Sequence, residues 1–252
     1  MSGRDRPVPR RIKRSDRDAT QDEGVLGVLG PAVDERVRED RVSVSEITYV
    51  TLSAEYAKAL EELELSVFHT IDPGDLYHED ELIELANLFP EGNFVALDDG
   101  RPIGMGLGIL VDFDFEHTQH SLADVTEDAD GNTAHRADNP WYYGTDISVY
   151  PEYRGRGVGR RLYELRKEYV RAANKAGIVA GGVIPGYADH IDEMTADEYI
   201  TKVAAGELTD PTLTFQMGNG FEPRGAIANY LDDESVGHNA VLIVWPNPGY
   251  TG

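Results

Sequence analysis

The sequence predicts one mixed α/β domain over residues 43–252, a twisted sheet of six or seven strands flanked by helices. Two observations predict it. Runs rich in β-branched and aromatic residues recur at strand length between Ile47 and Trp245, and segments with apolar residues at the 3.6-residue helical period lie between them. Their order, β-α-α, then ββ, a long polar stretch and β-α-β, contains no internal repeat and fits a single sheet with helices packed against it.

Each element has its own signal. Residues 1–42 lack aromatic residues and sustained periodicity, and they read as a disordered tail. The first 17 residues carry seven basic against two acidic side chains, a +5 stretch that either contacts a partner such as RNA or is simply solvated. Residues 47–52 form the first strand. Ser53 is placed to cap a helix buried through Leu60, Leu63 and Val67, and a second helix runs through Leu82, Leu85, Ala86 and Phe89 until Pro90 stops it. Strands at 93–97 and 103–111 flank the turn Asp98-Asp99-Gly100, and Gly104, Gly106 and Gly108 leave one face bare for close packing or a ligand. Residues 112–140 are polar and acidic with little strand or helix signal, so they read as a functional or disordered loop. A strand at 141–149 follows, then an amphipathic helix at 157–174 with Val158, Leu162, Leu165, Tyr169 and Ala172 on its stripe. A strand at 178–184, helices at 196–205 and 213–219, and strands at 221–227 and 241–245 complete the chain.

Composition narrows the chemistry. Cysteine is absent, which removes disulfides, thiolate metal sites and a cysteine acyl-enzyme together. The net charge is −23, and −28 outside the first 17 residues. Such a surface repels nucleic acid and anionic lipid and draws in cationic amines. Only five of the 23 basic residues are lysine, an acidic, halophilic style of composition in which charge keeps the chain hydrated. In molar salt the Debye length is about 3 Å, so long-range steering would be minor. No apolar stretch approaches the ~20 residues of a membrane span. Residues 24–33 make a poor signal core behind Asp22-Glu23, and Arg10-Arg11 is followed by a charged run unlike an export signal. The expected location is cytoplasmic, with neither nucleic acid nor membrane as partner; a homodimer stays open.

The informative segment runs from Tyr142 to Asn174. A strand ends at Val149, Pro151 stops its ladder, and Arg154-Gly155-Arg156-Gly157-Val158-Gly159 leads at once into a helix. Unpaired N–H groups and the positive dipole end make such a helix start an anion site, and glycine lets phosphate oxygens approach the amides. Arg154, Arg156 and Arg160 add charge. The spacing is neither the G-x-G-x-x-G of dinucleotide folds nor a P-loop, since no Gly-Lys-Ser/Thr triplet exists. A purely structural turn with exposed arginines is the competing reading.

The run from Ile147 through Gly159 resembles motif A of the GNAT N-acetyltransferases, whose signature is Arg/Gln-x-x-Gly-x-Gly/Ala; Arg154, Gly157 and Gly159 fill its defining positions. The resemblance covers about residues 46–246. Gly181 to Tyr187, Met194 to Tyr199, Asp210 to Gln216 and Asn219-Gly220-Phe221 look like the acetyltransferase half of proteins that fuse a GNAT domain to a carbon–nitrogen hydrolase.

The resemblance implies acetyl-CoA as acyl donor and an amine, small or on a protein, as acceptor. It implies that Ile147, Ser148 and Val149 hold the pantetheine and thioester through main chain. It also implies that the turn from Arg154 through Gly155, Arg156, Gly157, Val158 and Gly159 to Arg160 holds the pyrophosphate. Many members place a tyrosine four residues before the Gly-Phe that follows the last helix, as the acid for the leaving thiolate; Gln216 stands there instead. Asp146 and Tyr143 on the central strand and Tyr187 after the next strand are the candidate proton-transfer groups, Asp146 as a base if burial raises its pKa. Each also has a structural reading, as a hydrogen-bonded carboxylate or a packed ring. Glu116, His117 and His120 lack a third clear ligand, so no metal is expected; the long loop, with His135 and Trp141 at its end, is the candidate acceptor wall. The missing tyrosine keeps open an alternative, a non-catalytic acetyl-CoA-binding sensor or assembly module.

Overall fold

Strand-forming residues at seven places build one sheet in the computed structural model, which describes residues 46–128 and 132–252. The tail expected over 1–42 and the boundary after it lie outside the described residues. The strands are β1 (Ile47–Thr51), β2 (Phe94–Asp98), β3 (Arg101–Val111), β4 (Trp141–Val149), β5 (Gly177–Val183), β6 (Glu222–Ile227) and β7 (Ala240–Pro246). Their order is β1-β2-β3-β4-β5-β7-β6, and only β4–β5 is parallel. That pairing requires a crossover, which α4 (Val158–Ala172) supplies. The two-residue turn between β2 and β3 has Asp99 and Gly100 both at positive φ, as the right-handed strand twist favours.

Helices α1 (Ala57–Val67) and α2 (Glu79–Leu88) bury Leu60, Leu63, Leu82 and Leu85. The expected Ser53 cap is not made. A short 3₁₀ turn, Ala54–Tyr56, intervenes, and the Ser53 side chain forms no cap bond. In the polar stretch a short helix, α3 (Leu122–Thr126), forms because Ser121 and Asp124 cap it reciprocally. Helices α5 (Ala196–Ala204) and α6 (Leu213–Gly218) precede β6.

The buried face of α4 differs from the expected stripe. Val158 and Leu162 are buried as expected, but the face continues through Tyr163, Arg166, Lys167 and Val170, while Ala172 is exposed. Both cations lie inside because their stems cover apolar surface and their heads reach carbonyls: Arg166 donates to Leu107 O, and Lys167 donates to Asn219 O at 2.6 Å. The bare face left by the β3 glycines is taken by protein. A Cβ on Gly106 would stand 3.2 Å from Arg166 Nε, and one on Gly108 would stand 2.4 Å from the Tyr142 ring.

Candidate functional site

After β4 the chain makes a 3₁₀ turn at Pro151–Tyr153 and then reverses into α4. Gly155 and Gly157 sit at φ +73° and +86°, and Gly157 is the left-handed N-cap residue of α4. A side chain there would strain the backbone, yet a Cβ at either position would meet nothing within 4 Å, so the turn borders open space. Among the described residues the N–H groups of residues 155–160 donate to no protein carbonyl; the first bond of the helix is Arg161 N–H to Gly157 O. Arg154 leans back so that Nε donates to Val149 O at 3.2 Å, and Arg156 lies over the Tyr153 ring at 5.0 Å. Gly159 has a different reason for lacking a side chain: Phe215 of α6 would stand 3.2 Å from its Cβ. Arg160, Phe215 and Asn219 line a cleft of about 550 Å³ between α4 and α6.

Next to this turn the sheet opens. β4 and β5 pair only from Trp141↔Gly177 to Gly144↔Ala180, although β4 continues to Val149 and β5 to Val183. Beyond the last pair each strand is bonded only on its far side, β4 to β3 and β5 to β7. Across the gap the facing edges make no strand-to-strand ladder. The opening coincides with a bulge: Leu107 pairs with Asp146 and Gly108 with Gly144, so Thr145 is the extra residue.

The bulge gathers polar side chains that the helical hairpin approaches. Tyr77, between α1 and α2, donates to Thr145 Oγ1 at 2.8 Å, and Ser148 Oγ donates to Asp146 Oδ1 at 2.9 Å. Burial pushes the Asp146 carboxyl above the ordinary carboxylate range; the Ser148 hydroxyl, the Arg166 charge and the Ile147 N–H pull it partly back. Glu64 of α1, 2% exposed, is pushed up further, by burial first and then by the charges of Asp146 and Glu81. Both carboxyls are held above the ordinary range, and the charge of Asp146 opposes ionisation of Glu64. Sequence reasoning missed Glu64 and Tyr77. A signal existed for Glu64, because it occupies a core position of the stripe Leu60, Leu63, Glu64, Val67.

A raised carboxyl destabilises the fold as pH rises. The folded chain binds these protons more tightly than the unfolded chain does. The stability they confer is whole below the ordinary pKa near 4.5 and is lost as pH climbs toward the raised folded values. Glu64→Gln removes that loss. The variant is expected to gain about 1–3 kcal/mol over the parent at pH 8, a few degrees in Tm, and much less at pH 5. Thermal melts at the two pH values check this; an equal difference at both would contradict it.

The other candidates lie elsewhere. Tyr142 and Tyr143 alternate across the sheet: Tyr142 meets Arg166, whereas the buried Tyr143 hydroxyl bonds Tyr230 at 3.1 Å and His120 Nε2 at 2.8 Å. Burial keeps Tyr143 protonated and lowers the pKa of His120. His120 Nδ1 also bonds Thr118 O, and the neutral ring then presents Nε2 as acceptor for Tyr143. Tyr187 is buried, and its hydroxyl donates to Met194 O at 2.8 Å. The structure brings Asp146, Ser148 and the glycine turn at 155–159 to one end of β4; Tyr143 joins the His120–Tyr230 network and Tyr187 the Met194 turn. His117 bonds Asp114, and among the described residues no group of three or more His, Cys, Asp or Glu could hold a metal. Among the same residues no helix is long and apolar enough to cross a membrane.

Known proteins share this architecture. The Acetyltransferase (GNAT) family matches residues 57–183, which take in the bulge, the open edge and the turn. The uncharacterized N-acetyltransferase YkwB of Bacillus subtilis (strain 168) is 33% identical over 175 residues, 69% of this chain and 77% of that protein. The probable hydrolase YhcX of the same organism is 37% identical over 190 residues, 75% of this chain but 36% of that protein, so this chain spans about a third of that relative's length. Among solved structures, the loading GNATL domain of CurA from Lyngbya majuscula superposes with a TM-score of 0.69 at 19% identity, over 80% of this chain and 98% of that one. The GNAT-like decarboxylase GphF in complex with isobutyryl-CoA gives 0.66 at 18% identity, over 80% and 99%. The two structures share the fold; the family match and the YkwB alignment carry the relationship itself, and this chain belongs to the acetyltransferase (GNAT) family.

Proposed function

We propose that this chain is an acetyl-CoA-dependent N-acetyltransferase that moves the acetyl group directly to an amine. The observation that carries the reading is the set of free amides at residues 155–160 beside a parallel strand pair that opens after Gly144. The residues fit the cofactor: the left-handed glycines border open space, and among the described residues the buried Gln216 Oε1 has no hydrogen-bond partner. Bound acetyl-CoA supplies an activated thioester. The amides of the turn, with Arg154, Arg156 and Arg160, hold the diphosphate. Main chain at Ile147 and Val149 pairs with the arm that lies in the gap, and an N–H of that edge stabilises the oxygen that gains charge, a contribution worth about 3 kcal/mol in other enzymes. Asp146 takes the proton that the attacking nitrogen loses; that proton ends on the departing sulfur. Tyr143 and Tyr187 keep their hydroxyls within the fold and shape the walls. The acceptor is an amine, small or on a protein.

The test is thiol release from acetyl-CoA with a panel of primary amines, run beside calorimetric titration with CoA. Saturable binding with amine-dependent thiol release is expected. Binding without release on any amine would overturn the enzymatic part and return the chain to a cofactor-binding module. Absence of binding would overturn the whole reading.

A further inference from the structure

At the point where many relatives of this fold carry a phenol, this chain carries an amide whose surroundings assign it another task. Gln216 of α6 is 4% exposed, yet among the described residues its Oε1 has no hydrogen-bond partner. A buried polar atom left unpaired is costly, and its persistence points to a partner in the working state. Its position says where that partner lies. A Cβ built on Gly182 would stand 2.6 Å from Gln216 Oε1 and 2.9 Å from Nε2, so the amide rests against the main chain of Gly182 where a side chain would otherwise be. Gly182 is two residues past Ala180, the last residue of β5 that pairs with β4, and is bonded across β7 alone. The amide therefore stands over the open edge.

Tyr163 of α4 packs close by, its ring 5.8 Å from Phe215 and 4.9 Å from Phe221. Both amide atoms lie against Gly182, Oε1 at 2.6 Å and Nε2 at 2.9 Å from where its Cβ would stand, so in either orientation of the amide the strand side meets one donor and one acceptor. A secondary amide offers both an N–H and a carbonyl and can meet whichever atom faces it.

We propose that the Gln216 side chain recognises the pantetheine arm of the acyl donor, hydrogen-bonding one of its amides where the arm lies along β5, and so acts as a positioning and donor-selecting residue. The proposal rests on the acetyl-CoA reading above. Gly182 is the second half of the device, since only a residue without a side chain lets the amide reach the strand.

The experiment compares calorimetric affinities for CoA and for 3′-phosphoadenosine 5′-diphosphate, the same molecule without its arm. Gln216→Met is expected to weaken CoA about tenfold, the worth of one buried neutral hydrogen bond, and to leave the armless ligand unchanged. Gly182→Ala is expected to do the same, because its methyl group displaces the amide without altering it; if Gln216→Met does not fold, Gly182→Ala decides. Unchanged CoA affinity in the folded variants, or an equal loss for both ligands, overturns the proposal. A parent protein that binds neither ligand instead overturns the acetyl-CoA reading on which it rests.

Discussion

Gly157→Glu is expected to remove measurable CoA binding while the chain still folds. Gly157 caps α4 at φ +86°, and a Cβ there would meet no neighbour within 4 Å. The structural effect is thus confined to holding a non-glycine residue in the left-handed region, about 1–2 kcal/mol, or a few degrees in Tm for a domain of this size. The effect on binding is far larger. The new carboxylate enters the space that the free amides of residues 155–160 face, and like charge meets the diphosphate where the fold offers only donors. Charge-assisted bonds contribute about 1.5–3 kcal/mol each, so losing two of them already weakens binding by about 100-fold or more. Gly157→Ala separates the causes. It carries the same backbone strain without the charge, and calorimetry should find it intermediate in affinity with a similar Tm. Equal CoA affinity in the parent and Gly157→Glu would remove the diphosphate from this turn.

The turn was legible because its signal is local. Strand, proline, glycines and helix start lie within one short run, and the glycines at 155 and 157 declare left-handed backbone by their identity. All seven strands were legible for the same reason. What escaped depends on neighbours distant in sequence. The Thr145 bulge is a disagreement of register between β3 and β4, and no residue in β4 announces it. Arg166 and Lys167 fell outside the expected stripe of α4 because the carbonyls that receive them, Leu107 O and Asn219 O, belong to other elements. Glu64 stood in plain view on a core stripe, but its meaning needs Asp146, which only the packing of α1 against the sheet brings near. Tyr187 illustrates the reverse limit: its place after β5 drew interest, whereas its hydroxyl belongs to Met194 O, a partner seven residues away.

Asp146→Asn is the second large effect. The amide keeps the shape of the carboxylate and still accepts the Ser148 hydroxyl through its oxygen, so the bulge is preserved. What is lost is a proton acceptor beside the open edge, and kcat/KM should fall by about 10²–10⁴ with CoA affinity unchanged. The pH dependence gives the sharper test. A base works only when unprotonated, and burial raises Asp146 above the usual carboxylate range, so the acidic limb of the parent profile should lie at higher pH than an exposed aspartate would place it. Ionisation of the acceptor amine shapes both profiles alike and cancels in the ratio of variant to parent rates. That ratio should be nearest to one at low pH and fall as pH rises through the Asp146 pKa, then level off. Glu64, also raised by burial, is not the proposed base, so Glu64→Gln should keep the large rate that Asp146→Asn loses while raising Tm. A purely structural Asp146 would predict something different: a rate loss independent of pH and matched by a loss of CoA affinity or of Tm, because nothing then ties its charge to the reacting nitrogen.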